Sequence, residues 1–230
     1  MKFNGKGLFS RTLLILSVGN LLVYLLMHLS FNMSADLTLP PDGVFLFEQV
    51  RHYITDAWEL IFPVVTAALM LTVLRYEGGA AAFLGGSLVS LSRIFYSAFY
   101  YYITFISVGY DTAEAIPYAL LASVGAVAVT FVTLAVITGV GYIFLSRSKS
   151  KEPISKIPSV LLSLTAVQFI IFLVLEVVDT VSFFLEVGLD YTAGEILLIC
   201  FNYLYILAVS LLCHYLTRLI LSRTEKKRLN

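Results

Sequence analysis

Five polar side chains recur along one apolar stretch of the chain: Thr165, Gln168, Glu176, Asp179 and Glu186, at intervals of three, eight, three and seven. At about 100° per residue, a helix collects all five in one narrow arc, while Leu, Ile, Val and Phe fill most of the remaining surface. Glu176 and Asp179 stand about one turn apart, so their carboxylates can converge on a cation or share a proton. Gln168 adds an amide able to donate and accept. The plainer reading is positional. Counted from Pro158, Glu176 lies about 27 Å along the helix and Asp179 further still, which also fits the outer headgroup region of a bilayer.

Other spacings carry less chemistry. Ser17, Asn20, Tyr24 and His28 form a second stripe, with His28 at a depth comparable to Glu176; a lone histidine there reads first as an interfacial or helix–helix hydrogen-bonding residue. Arg93, Tyr96, Tyr100, Thr104 and Ser107 share a side of a third segment. Arg93 sits about 9 Å from its inner end and is expected to snorkel to the surface. Tyr100 either lines a cavity or packs as wall. Glu48, His52, Asp56 and Glu59 follow at four, four and three, types that bind metals. One straight helix cannot bring residues eight apart onto a single ion, so this reads first as a solvated face, the alternative being a cation site with Glu59 turned inward, and no metal site is expected. Ser210, His214 and Thr217 make a short polar edge, with His214 in a hydrogen-bonding role. Cys200 and Cys213, about 20 Å apart on a helix, read as small packing residues.

The elements that position these residues follow from composition. The chain has 230 residues, 59% hydrophobic and 13% charged. A soluble domain is about a quarter charged, so half that charge implies a surface facing lipid. Apolar runs at 12–31, 58–75, 87–108, 115–145, 158–185 and 196–221 suit helices crossing a core of about 30 Å. They lack the alternation of a membrane β-barrel. The run 12–31 exceeds a signal-peptide core and is followed by no convincing cleavage site, so it is expected to remain as a span. The fold class is therefore all-α: a polytopic bundle of six transmembrane helices forming one membrane domain over 1–230.

Charge sets the orientation. Lys2, Lys6 and Arg11, then Arg147, Lys149, Lys151 and Lys156, then Arg223, Lys226, Lys227 and Arg228 fall on one side; Asp36, Asp42, Glu48, Asp56, Asp111, Glu114, Asp190 and Glu195 fall on the other. The positive-inside rule places both termini in the cytoplasm and the protein in the plasma or inner membrane. Pro40-Pro41 precedes a helix over 43–57 that runs into the second span. Gly78-Gly79 and Gly85-Gly86 bracket a tight turn or short interfacial segment. Val108-Gly109-Tyr110-Asp111 resembles Val187-Gly188-Leu189-Asp190, consistent with a duplicated hairpin.

Function is read from the polar stripes. The leading expectation is a small-solute or cation binding or transport protein with an outward-facing acidic site. Glu176 and Asp179 supply charge, Gln168 and Tyr100 hydrogen bonds, and Glu59 and His28 a rim. The alternative is a non-catalytic subunit of a larger complex, such as a permease component working with a separate ATPase. It rests on Gly125, Ala128, Ala135 and Gly139, whose small side chains let helix backbones approach, within the chain or between subunits. No basic face suits nucleic acid. No His-Glu-x-x-His, Gly-x-Ser-x-Gly or phosphate-loop motif is present, so no catalytic residue or cofactor is expected. An intramembrane enzyme would need a convergent acid–base arrangement that the sequence does not display.

Overall fold

The computed structural model describes Gly7 and residues 11–23, 41–148, 152–187 and 193–229. Among them there is no strand. Helix α1 covers Arg11–Val23. It is followed by α2 (Pro41–Tyr76), α3 (Gly79–Ser107), α4 (Thr112–Arg147), a 3-10 turn at Ile154–Lys156, α5 (Pro158–Val187) and α6 (Ala193–Leu229).

Among the described residues, five stretches are long and apolar enough to cross a membrane: Asp56–Tyr76, Gly79–Ile106, Thr112–Arg147, Pro158–Ser182 and Ile196–Lys226. Large apolar side chains on them, such as Leu121, Val129, Phe131, Leu197, Leu204 and Leu211, are exposed. Lipid accommodates such a surface and water does not. The run expected at 12–31 is helical over Arg11–Val23, too short to count as a span, and 24–31 lies outside the described residues. The outer helix and the second span are one continuous element, α2, which starts at Pro41. Proline fits a first helical turn, where its missing N–H has no partner to lose.

Two boundaries differ from expectation by eight residues: α6 continues past 221 to Leu229, and α3 starts early. The third run does not begin at 87, because α3 starts at Gly79. The turn before it is confined to Glu77 and Gly78. Both backbone N–H groups donate to the Val73 carbonyl, at 2.7 and 3.0 Å, and Gly78 takes φ +104°, a left-handed conformation that glycine adopts without penalty. Gly85 and Gly86 lie inside α3 and serve close approach instead of turning. A Cβ on Gly85 would overlap the Leu13 side chain of α1, and one on Gly86 would meet Met70 Cε of α2 at 2.9 Å. A glycine pair between apolar residues punctuates a soluble chain, but within a membrane it more often marks helix contact.

The described residues divide into two compact units. The first comprises those of Met1–Asp56 and Leu69–Val136. Here the polar stripe of α1 is buried: Asn20 Nδ2 donates to Ser92 Oγ of α3 at 3.4 Å, and Ser17 Oγ donates to Leu13 O at 2.9 Å. At the α3–α4 turn, Gly109 has φ +100°, and the rings of Phe105, Tyr110 and Tyr118 pack with centroids 5.4–5.9 Å apart. Arg93, expected to snorkel, holds its Cζ 5.6 Å from the Tyr96 ring centroid.

The second unit comprises Ala57–Ala68 and the described residues of Ile137–Asn230. It contains the middle of α2, the end of α4, the 3-10 turn, α5 and α6. Leu60, Val64, Leu161, Leu164 and Cys213 are buried in it. The turn at Ile154–Lys156 is fastened to α6 by Glu225, only 4% exposed. Its carboxylate accepts the backbone N–H groups of Ile154 at 2.8 Å and Ser155 at 3.2 Å, and the Ser155 hydroxyl as well.

Candidate functional site

The second unit holds most of the residues expected to form a site, and Pro63 organises them. A proline inside a helix lacks the N–H that would donate to the carbonyl four residues earlier. On α2 that carbonyl belongs to Glu59. Gln168 of α5 takes over as donor: its Nε2 lies 3.3 Å from Glu59 O. The neighbouring Leu60 carbonyl receives Cys213 of α6, with Sγ at 4.0 Å. Membrane helices tolerate interior prolines where neighbours satisfy the released backbone in this manner. Thus Gln168 and Glu59 do meet, but through the Glu59 backbone.

Helices α5 and α6 are stitched along their length by polar pairs. Thr165 Oγ1 lies 3.4 Å from His214 Nδ1. Asn202 Nδ2 donates to Glu176 Oε1 at 3.2 Å, and the Thr180 hydroxyl lies 3.2 Å from that of Tyr203. The Thr165–His214 and Glu176–Asn202 pairs fix an antiparallel register, and that register puts Ser210 level with Gln168. Helical geometry also sets the direction Ser210 takes. It lies about 60° around α6 from Cys213, which reaches α2, and about 40° from His214, which reaches α5. Ser210 therefore occupies the angular interval between them, on the seam where the three helices meet.

Two buried oxygens on this seam have no hydrogen-bond partner among the described residues: Gln168 Oε1 and Ser210 Oγ. Gln168 is 1% exposed and Ser210 4%. A third, Thr66 Oγ1, lies about 10 Å further along α2 from Glu59. Buried polar atoms left unpaired cost free energy and mark places where a polar group from outside the protein can bind.

The other expected residues are distributed differently. Glu176 is half-buried, about 12 Å from Gln168 along α5, while Asp179 is exposed. Tyr100 belongs to the first unit, 42% exposed, in edge contact with Tyr101 at 5.5 Å. His28 lies outside the described residues. Among the described residues no cluster of three or more His, Cys, Asp or Glu side chains is spaced to hold a metal. Gly125, Ala128, Ala135 and Gly139 are all exposed, and a Cβ at Gly125 or Gly139 would touch nothing within 4 Å among the described residues. Local spacing did not reveal Asn202 or Glu225. Each acts on a partner distant in sequence, and the only hint is a polar residue in an apolar helix and an acid in a basic tail.

These features define a membrane-embedded helical protein with a polar seam through an otherwise apolar set of helices. No family model, curated protein or solved structure matches the chain.

Proposed function

We propose that this chain is a six-span protein of the plasma or inner membrane, with both termini cytoplasmic, that binds and moves a small cationic or polar solute without chemical conversion. The observation that carries this reading is Gln168. A polar side chain with 1% exposure, deep in an apolar helix, keeps an acceptor oxygen that no described protein group uses. Such a residue is costly in a bilayer unless it serves the solute pathway. Glu176 and Asp179 follow on the same arc of α5 toward the outer side. With the acidic outer loops they concentrate cations at the entrance. Glu59 borders the seam from α2. Tyr100, in the first unit, has no part in this proposal.

The test is uptake by proteoliposomes containing the purified full chain, with ammonium, methylammonium, ethanolamine and potassium as probes. Uptake of at least one above the rate of empty liposomes is expected, and its loss in the Glu176→Gln, Asp179→Asn double variant. Uptake of none, or full uptake by the double variant, overturns the proposal.

The second reading, a non-catalytic subunit of a larger membrane complex, draws on α4. Its four small residues are exposed, and a second membrane protein seated there would bury Gly125 and Gly139. Leucine at both positions would then abolish co-purification of that partner while leaving this chain folded.

A further inference from the structure

Resting on that reading, we infer that Gln168 Oε1 and Ser210 Oγ form an inner subsite for the N–H donors of a primary ammonium group. Gln168 uses one N–H of its amide nitrogen on Glu59 O, which sets the orientation of the amide and leaves Oε1 as its acceptor toward the seam. A group lacking donors leaves Gln168 Oε1 unpaired. Ser210 Oγ, level with it on the facing helix, can also accept, and neither atom has a partner among the described residues. Two acceptors within a low-dielectric seam suit a ligand with at least two N–H bonds. The acidic Glu176 and Asp179 lie outward on the approach and favour positive charge. A cation with donors is an ammonium group. A quaternary ammonium has the same charge and no N–H, so the subsite would reject it. A site built to hydrogen-bond a donor discriminates strongly against analogues that lack one. At Pro63, α2 lacks one rung of its hydrogen-bond ladder and bends more readily than an unbroken helix, which lets the seam open to admit the ligand.

The experiment measures thermal unfolding of the purified full chain in detergent, with methylammonium and tetramethylammonium as probes. Methylammonium is expected to raise Tm, with an apparent Kd at least tenfold below that of tetramethylammonium. Ser210→Ala is the decisive variant. Removing a buried hydroxyl that lacks a partner among the described residues leaves the ligand-free Tm unchanged or raises it, while the apparent Kd for methylammonium rises about tenfold. A lowered ligand-free Tm in Ser210→Ala would show that the hydroxyl is bonded within the protein, and would overturn the subsite. Equal affinity for the two cations, weakened alike by Glu176→Gln, overturns the subsite and leaves the acidic entrance standing. Binding of neither cation overturns both.

Discussion

Gln168 Nε2 lies 3.3 Å from the backbone carbonyl of Glu59, the oxygen that Pro63 deprives of its helical donor. A side chain that looks from sequence like one member of an acidic stripe is thereby half structural. One end of its amide repairs α2, and the other presents an oxygen to the seam. The two ends separate stability from binding, so each can be removed alone.

Gln168→Leu removes the repair, taking the Gln168 donor from the part-buried Glu59 carbonyl, at a cost of about 1–2 kcal/mol. Pro63→Ala restores the backbone N–H at position 63. In that background the same Gln168→Leu change should cost little, because the carbonyl has regained its own donor. A double-mutant cycle measured by reversible unfolding in mixed micelles reads the coupling directly. Equal costs in the two backgrounds would show that Gln168 does not act through this carbonyl.

The helices were legible in the sequence because apolar runs of this length have few alternatives, and the helix expected from 43 into the second span is α2, which starts two residues earlier, at Pro41. The buried face of α1 was legible as well, since Ser17 and Asn20 interrupt an apolar run at helical spacing. Partnerships across helices were not. Periodicity says that Glu176 faces a neighbour, but nothing local identifies Asn202, and nothing on α5 reveals that Pro63 has opened a carbonyl opposite Gln168. The stripe also implied one continuous site, whereas burial grades along it from Gln168, fully enclosed, to Asp179, exposed. Gly85 and Gly86 were misleading for a different reason: the same lack of a side chain that permits a turn also permits two helices to touch.

That difference predicts opposite signs for the same substitution. At Gly85 an added methyl overlaps the end of the Leu13 side chain, itself fully buried, which must shift within packed surroundings, and overpacking of this kind costs about 1–3 kcal/mol. At Gly125, where a Cβ meets nothing within 4 Å, alanine gains helix propensity of up to about 1 kcal/mol and collides with nothing. Gly85→Ala should therefore lower Tm and Gly125→Ala raise or preserve it, both measured on the monomer in detergent. A stable Gly85→Ala protein would mean that α1 and α3 are not in contact at Leu13.

The proposed topology makes its own prediction. With Cys200 and Cys213 replaced by Ala, a single cysteine introduced at Ser148 or Asn230 should react with a membrane-impermeant maleimide only after the membrane is opened, and one introduced at Asp111 should react in intact cells. Labelling of the tail from outside intact cells would require an odd number of crossings or the reverse orientation.

Glu225 supplies the last prediction. Its carboxylate bridges α6 to the start of the 3-10 turn by accepting two consecutive backbone N–H groups, from Ile154 and Ser155, and the Ser155 hydroxyl. Hydrogen bonds to an ionised acceptor are worth about 1.5–3 kcal/mol each, and the turn has no side-chain cap on its own N-terminal residue Pro153. Glu225→Ala leaves both amides without this acceptor. Hydrogen exchange at Ile154 and Ser155 should then accelerate at least tenfold, while amides in the middle of α5 keep their protection. Glu225→Gln retains one accepting oxygen and should fall between the two, protecting one amide in preference to the other. Ser155→Ala, which removes only the hydroxyl, should leave both amides protected to within a few-fold. If Glu225→Ala instead exchanged like the wild type at these two positions, the turn would be held by its apolar neighbours Ile154 and Ile157, and the carboxylate would be incidental to it.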